Sequence, residues 1–216
     1  MGAQLSKLSH QLIFLIILPI ISVAFAYLIN VFLQEHISYP WIFLIDSLGV
    51  LGMYSFLFQL FNYSLWQFFP AGMFQIVDVP NLNGTWVGKL RSSYDNNRTP
   101  YEVRVEVIQT FSSIKVYCYF SRSWSFSIVS DFYKEADGRK VLHYIYRNEP
   151  QNNASPTMHG HYGAAKHEYI ASRNMMECSY YNEPPRNRGW YGSFNVKREK
   201  RSLLEILFPS VRNKLS

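Results

Sequence analysis

Residues 141–150 read Val-Leu-His-Tyr-Ile-Tyr-Arg-Asn-Glu-Pro, and this stretch decides the fold of the C-terminal part of the chain. It follows Asp137-Gly138, a dipeptide typical of hairpin turns, and it ends at a proline, which stops a strand. Because side chains alternate along a strand, one face carries Leu142, Tyr144, Tyr146 and Asn148. Such a face suggests a wall for a planar polar ligand, although composition alone favours tyrosines that are ordinary half-buried strand residues.

The surrounding sequence repeats this period of two. Residues 101–110 alternate valines with Glu and Arg, which is the pattern of a half-buried strand. Many short strands separated by turns predict a closed, all-β antiparallel barrel of about eight strands, whose interior can hold one small ligand. The other predicted strands are 84–94, 114–120, 123–130, 157–170, 174–182 and 189–197.

Two apolar stretches precede the barrel. Residues 12–33 contain no charged side chain, and residues 41–61 contain only Asp46. Their lengths predict two N-terminal transmembrane α-helices, each crossing about 30 Å of hydrocarbon. The predicted domains are therefore a transmembrane region at 1–78, a β-barrel receptor domain at 79–199 and a basic amphipathic tail at 200–216.

Charge is distributed unevenly along the chain. From residue 79 onward there are 20 Lys and Arg against 12 Asp and Glu, so this part has a net charge of +8. A basic domain suits an anionic ligand or an anionic surface. The loop between the apolar stretches has no Lys or Arg, whereas Lys7 and the basic domain flank their outer ends. The positive-inside rule then predicts that both termini are cytoplasmic.

Small and polar residues within the apolar stretches predict a seam for oligomerisation. Such residues let helices approach closely in a bilayer. Small residues are also frequent in such helices, and a carboxylate near an interface can simply extend toward water. Both alternatives stay open for the six residues of this seam, which are Ser22, Ala26, Asn30, Asp46, Gly49 and Gly52.

The sequence carries no catalytic signature. It has no Gly-x-Ser-x-Gly elbow, phosphate-binding glycine loop or His-Glu-x-x-His motif, so we predict a binding protein without enzymatic activity or cofactor. His159, His161 and His167 come nearest to a metal site, but their spacing does not fix a third ligand, and we predict no metal. Cys118 and Cys178 lack metal-site spacing and are predicted to be free thiols.

The abundant Tyr, Trp and Arg residues suit nucleotide recognition instead. Stacking a base on an aromatic ring contributes about 1–3 kcal/mol. A charge-assisted hydrogen bond to phosphate contributes about 1.5–3 kcal/mol. Two bases and two phosphates would offset the cost of association and still reach about −8 kcal/mol, a micromolar affinity. A barrel mouth lined in this way is adequate for a dinucleotide.

An ordered set of short motifs adds a family resemblance. The set runs from Gly84-Thr85-Trp86-x-Gly88 through Ile108-Gln109-Thr110, Ser123-x-Ser125-x-Ser127, Leu142-x-Tyr144-x-Tyr146-x-Asn148 and His161-x-Gly163 to Tyr180-Tyr181 and Arg188-Gly189. Together with two N-terminal spans, this order resembles the CD-NTase-associated effectors of CBASS anti-phage defence, which join two transmembrane helices to a minimal β-barrel. The resemblance covers the chain to about Glu199.

The resemblance implies a cytoplasmic receptor for a cyclic dinucleotide made by a cognate CD-NTase, with no DNA or RNA polymer as partner. Binding would drive homo-oligomerisation of the helices in the bilayer, and the bacterial inner membrane of the infected cell would lose its integrity. An alternative is a membrane-anchored, lipocalin-like barrel with an apolar ligand. Matched motifs and strand faces give the predicted ligand-binding residues, which are Trp86, Arg122, Ser125, Tyr144, Tyr146, Asn148, His161, Tyr180 and Arg188.

Overall fold

The chain forms two compact units. The computed structural model describes residues 2–33, 39–68, 79–154, 156, 158–183 and 191–199, with side chains in the two long helices at 16–32 and 49–63. One unit comprises Met1–Asn81 with Thr110–Ser113, and the other comprises Leu82–Gln109 with Ile114–Ser216. The domain bounds predicted from sequence stay a prediction, and the tail at 200–216 lies outside the described residues.

The first unit is helical. It contains α1 (Gly2–Leu33), α2 (Tyr39–Tyr63) and a short 3-10 turn at Leu65–Phe68. Leu18 of α1 is buried in one apolar cluster with Phe61 and Trp66. The helix α1 continues through Pro19, which lacks a backbone N–H and therefore removes one hydrogen bond of the helix.

The predicted seam residues occupy different environments in this unit. Ser22 and Ala26 are buried within the single chain, and the Ser22 hydroxyl donates to the Leu18 carbonyl at 2.8 Å. Gly49 and Gly52 are exposed, and a Cβ added to either would meet nothing within 4 Å. Asn30 is half-buried, and the side chain of Asp46 lies outside the described part. Only part of the predicted seam is therefore open to a second copy.

The prediction of two transmembrane helices is corrected here. Among the described residues, neither helix offers a stretch of the length and apolar character that spanning a membrane requires. A span takes about 20 apolar residues, and side chains are described only at 16–32 in α1 and 49–63 in α2. The predicted spans at 12–33 and 41–61 and the predicted multi-pass location in a bacterial inner membrane, with both termini cytoplasmic, are overturned by this finding.

The second unit is the predicted antiparallel barrel, and it has eight strands. Each strand pairs with the next one along the chain, and the last pairs with the first, so the sheet closes. The strands are β1 (Gly84–Ser92), β2 (Tyr101–Gln109), β3 (Ile114–Tyr119), β4 (Ser123–Lys134), β5 (Lys140–Pro150), β6 (His161–Ile170), β7 (Met175–Asn182) and β8 (Tyr191–Arg198).

The barrel has two unlike ends. The β1–β2, β3–β4, β5–β6 and β7–β8 connections lie at one end, here called the mouth, and the remaining turns lie at the other, here called the base. At the base, the Trp86 indole donates to the Leu82 carbonyl at 2.9 Å, and the Arg198 guanidinium lies 4.5 Å from the Trp86 ring centroid. These contacts close the base.

Side chains fill the interior from the base to the middle. Val105, Met176 and Val196 have no exposed surface there, and neither has His167. The buried polar side chains near the mouth include Ser92, Ser123, Ser125 and Asn148. Because the lower barrel is filled by side chains, the mouth is the place where a polar ligand can enter.

Candidate functional site

Two tyrosines at the mouth lie flat against glycines on the neighbouring strands. Tyr146 of β5 is paired with Gly163 of β6, and Tyr180 of β7 is paired with Gly192 of β8. A Cβ at position 163 would lie 2.4 Å from the Tyr146 Cζ, and one at position 192 would lie 2.4 Å from the Tyr180 Cε1. Glycine is therefore required at both places. Each tyrosine ring covers the glycine on the neighbouring strand, as aromatic residues do in curved sheets.

Hydrogen bonds fix the same two rings at their hydroxyl ends. The Tyr180 hydroxyl donates to the Ser92 Oγ at 3.1 Å, and the Tyr146 hydroxyl donates to the Asn182 Oδ1. Burial raises the pKa of both phenols, and for Tyr146 the nearby Tyr180 adds to the effect. Both rings are therefore neutral at physiological pH, so they do not repel an anionic ligand.

Tyr144 lies deeper, in the closed part of the barrel. Its hydroxyl is 2.8 Å from the His167 Nε2 and 3.7 Å from the Cys118 Sγ. Burial raises its pKa well above the ordinary value, and the Cys118 and Cys178 thiols act in the same direction. The tyrosine face predicted from sequence is thus divided, since Tyr146 is at the mouth whereas Tyr144 belongs to a buried polar network.

His167 is the basic member of that network. It is fully buried, and burial lowers its pKa to about 3, so the ring is neutral at physiological pH. Its Nδ1 has no hydrogen-bond partner among the described residues. His161, by contrast, is half-buried near the mouth, with its Nδ1 3.2 Å from the His159 carbonyl oxygen. In the part of the chain that the structure describes, no cluster of three His, Cys, Asp or Glu is placed to hold a metal ion.

A cleft of about 370 Å³ lies beside the mouth, where β7, β8 and β1 meet. Its size falls in the range of small-molecule sites, about 300–1,000 Å³. Tyr180 lines it together with Tyr181 and Tyr191, two paired residues whose side chains are 63% and 53% exposed. Arg91 also lines it, and its guanidinium donates to the Asn97 carbonyl at 2.9 Å. The cleft therefore combines accessible aromatic rings with an oriented cation.

The other predicted ligand-binding residues are placed as follows. Ser125 and Asn148 are a buried cross-strand pair at the mouth, and His161 is paired with Asn148 from the other side. Arg122 is exposed in the β3–β4 turn at the same end. Trp86 is fully buried at the base, away from the mouth, and Arg188 lies outside the described residues. The mouth end of the barrel thus holds Arg122, Ser125, Tyr146, Asn148, His161 and Tyr180, whereas Trp86 and Tyr144 lie deeper.

Sequence reasoning missed Arg91, Tyr181 and Tyr191 as members of this site. Each points outward on its strand, whereas the predicted ligand-binding residues on the strands face inward. The sequence did contain a signal for Tyr181, because two adjacent tyrosines, Tyr180-Tyr181, form one of the motifs that carry the family resemblance. The cleft uses one tyrosine from each face of β7, which alternation along a single strand does not reveal.

Comparison with known proteins agrees with a receptor role for this barrel. A family model described as the Cap15 cyclic dinucleotide receptor domain matches residues 77–198, which is more than half of the chain and includes all eight strands. No curated protein matches the chain at a significant level. The receptor part of the resemblance noted from sequence is thereby confirmed. The chain belongs to the family of Cap15 cyclic dinucleotide receptor domains.

Proposed function

We propose that this chain is a CBASS effector whose barrel binds a cyclic dinucleotide, made by a cognate CD-NTase, at the mouth and in the adjoining cleft. The observation that carries the proposal is the cleft in which Tyr180, held by its hydrogen bond to Ser92, lies with the exposed Tyr181 and Tyr191 rings and the oriented Arg91 guanidinium. The proposed role of the chain is to recognise the ligand, without carrying out a chemical step on it.

The chemistry of the cleft suits both parts of such a ligand. The exposed rings of Tyr181 and Tyr191 offer faces for stacking of bases, at about 1–3 kcal/mol per base. The Arg91 guanidinium offers charge-assisted hydrogen bonds to a phosphodiester, which are stronger than neutral ones. Ser125 and Asn148, at the inner side of the mouth, provide the donors and acceptors that base edges require.

Ligand binding, in this proposal, drives self-association through the helical unit. Several side chains of α1 are apolar and largely exposed, among them Ile20 at 62%, Leu28 at 65% and Phe32 at 76%. A contiguous apolar surface of this kind is rare on a monomeric protein and marks an interaction site. A second copy of the same helices offers a surface of matching chemistry, and its assembly would turn recognition into death of the infected cell.

The test of recognition is thermal unfolding of the full chain with a panel of cyclic di- and trinucleotides. A ligand that binds only the folded state at 100 times its Kd adds about 2.7 kcal/mol of stability. Arg91→Ala and Tyr181→Ala should greatly reduce this shift. Arg104→Ala and Tyr133→Ala are matched controls at exposed outward positions away from the cleft, and they should retain it. No shift with any nucleotide of the panel would contradict the proposal.

The test of self-association is sedimentation velocity with and without the stabilising nucleotide. Gly52→Leu adds a side chain where the single chain leaves open space, so it should preserve the fold yet alter the ligand-dependent assembly. Ala26→Leu is the comparison, because Ala26 is buried within one chain and the larger side chain should destabilise the helical unit itself. An unchanged assembly in Gly52→Leu would argue against an interface at this position of α2.

A further inference from the structure

The outer surface of β3 and β4 carries a block of four aromatic side chains. The register pairs Tyr119 with Trp124 and Tyr117 with Phe126. Each of the four alternates with buried neighbours along its strand, so all of them face outward. The Trp124 and Phe126 rings are 5.2 Å apart at their centroids, and Tyr119 is 37% exposed. The four rings therefore form one contiguous aromatic surface on the outside of the barrel.

Charged side chains flank this block on the adjoining strands β2 and β5. The register defines two rows across the four strands, which are Arg104, Tyr119, Trp124 and Glu149 in one row and Glu106, Tyr117, Phe126 and Arg147 in the next. The first row runs from cation to anion, and the second row runs from anion to cation. We call these eight residues the aromatic face.

The composition of the aromatic face is that of a protein–protein interface. Tyr, Trp, Phe and Arg are enriched at interfaces, where the side chains that dominate binding cluster at the centre inside a rim that excludes water. Here the aromatic rings form the centre and the charged side chains form the rim. The face lies on the side of the barrel opposite β7 and β8, away from the cleft beside the mouth. A partner docked on the face would therefore leave that cleft open.

The alternating charges make the aromatic face complementary to a second copy of itself. When two identical faces pack together, a two-fold axis lies between them, and each contact occurs twice. With this axis along the strands, Arg104 meets Glu149 of the second copy, and Glu106 meets Arg147. With the axis across the strands the two rows exchange, and each cation again meets an anion. The charge pattern thus favours a second copy of this chain as the partner.

Two of the rim side chains are already held in position within one chain. The Arg147 Nε lies 2.5 Å from the Glu149 Oε1, and the Arg147 guanidinium lies 5.7 Å from the Tyr162 ring centroid. Both side chains remain accessible, at 46% and 30% exposure. Because these contacts already restrict the two side chains, less side-chain entropy is lost when a partner binds them.

We propose that two copies of the chain associate through the aromatic face, with the rings at the centre and oppositely charged side chains paired at the rim. The net charge of +6 on each chain opposes association at long range. Charges farther apart than about 8 Å are largely screened at physiological ionic strength, whereas the rim pairs act within that distance. This interface is separate from the proposed self-association of the helices, and it does not depend on the ligand at the mouth.

Sedimentation velocity of the full chain without nucleotide, after charge reversal, tests this contact. Arg104→Glu places like charges opposite each other in either orientation of the two copies, which is costly at an interface, so association should weaken about tenfold or more. The same change lowers the net positive charge, which by itself favours association. Lys197→Glu is the matched control, because it changes the net charge equally at an exposed outward position of β8. It should associate at least as tightly as the native chain.

Mixing of complementary variants supplies the second measurement. Arg104→Glu and Glu149→Arg restore both rim pairs only between unlike chains if the axis runs along the strands, and Arg104→Glu and Glu106→Arg do so if it runs across them. At least one mixture should recover the native association, and the mixture that recovers assigns the axis. A native chain that stays monomeric at micromolar concentration, equal association of Arg104→Glu and the native chain, or recovery in neither mixture would overturn the proposal.

Discussion

At the scale of single residues, the neutral histidine in the middle of the barrel makes stability depend on pH. His167 is fully buried, and burial lowers its pKa from 6.5 to about 3. In the unfolded chain the same ring takes up a proton below pH 6.5. The unfolded state therefore binds more protons than the folded state as the pH falls, and stability is lost from pH 6.5 down toward pH 3.

We predict that acidification from pH 7 to pH 5 lowers the free energy of unfolding by about 2 kcal/mol through His167, since one pKa unit corresponds to about 1.36 kcal/mol. Urea unfolding at both pH values measures this loss. His167→Gln should remove most of it. His143→Gln is the control, because His143 is 46% exposed beside Glu135, and it should leave the loss in place. Equal acid sensitivity in the His167 variant and the native chain would contradict the prediction.

A glycine at the mouth makes a second residue-scale prediction. Gly163→Ala places a Cβ 2.4 Å from the Tyr146 ring and 2.6 Å from the Tyr181 carbonyl oxygen, and the backbone oxygen cannot move away cheaply. Overpacking of this kind should cost about 1–3 kcal/mol and displace the Tyr146 ring. Thermal unfolding measures the cost. In Gly160→Ala the nearest atoms are a flexible Glu149 oxygen at 3.0 Å and the Asn148 carbonyl oxygen at 3.3 Å, both less close than the contacts at position 163, so that variant should cost less than about 1 kcal/mol.

At the scale of elements, β4 is the strand that departs from regular pairing. Its register with β5 shifts between Ser127 and Val129, which is a bulge. Its pairing with β3 covers only three register positions and ends at Phe126. Beyond that point, serine hydroxyls take the place of the backbone hydrogen bonds between β3 and β4. The Ser127 Oγ accepts from the Val116 N–H at 2.9 Å, and the Ser130 hydroxyl donates to the Ile114 carbonyl.

We expect Ser127→Ala to destabilise the barrel by about 1–3 kcal/mol, because the Val116 N–H, on a buried strand residue, would lose its acceptor. Denaturant titration measures the change. Ser193→Ala, at an exposed outward position on β8, is the matched control and should be nearly neutral. A neutral result for Ser127→Ala would mean that water or a rearranged backbone satisfies that donor.

Local pattern predicted most of the strands but could not predict how they close. The alternation at Val103, Val105 and Val107 and the inward placement of Tyr146 and Asn148 follow from a period of two. The bulge after Ser127 and the contact of Tyr146 with Gly163 depend on which residues face each other across strands. That register arises from residues far apart in sequence, so no single stretch contains it.

The burial of Tyr144 has a similar explanation. Alternation places it on the same face as Tyr146, but depth in the barrel depends on strand stagger. The pairing of Leu142 with His167 puts the inner half of β5 in the packed middle, where the Tyr144 hydroxyl finds the His167 ring. The sequence therefore predicted the inward face of β5 but not which of its two tyrosines reaches the mouth.

At the scale of the whole molecule, a basic barrel receptor and an apolar helical unit occur in one chain. The barrel carries the ordered aromatic and cationic groups, and the helices expose apolar side chains such as Phe32 at 76%. These two kinds of surface belong to two different compact units. The proposed division is that the mouth recognises the ligand and the helices self-associate.

Isothermal titration calorimetry of cyclic dinucleotides into the full chain measures the proposed recognition itself. We predict saturable binding of at least one cyclic dinucleotide at micromolar Kd or tighter, about −8 kcal/mol. We also predict loss of binding in Arg91→Ala, full retention in Arg104→Ala, and weaker binding of the linear dinucleotide with the same bases. Absence of heat with every cyclic dinucleotide tested, or equal binding by Arg91→Ala and the native chain, would contradict the proposed recognition.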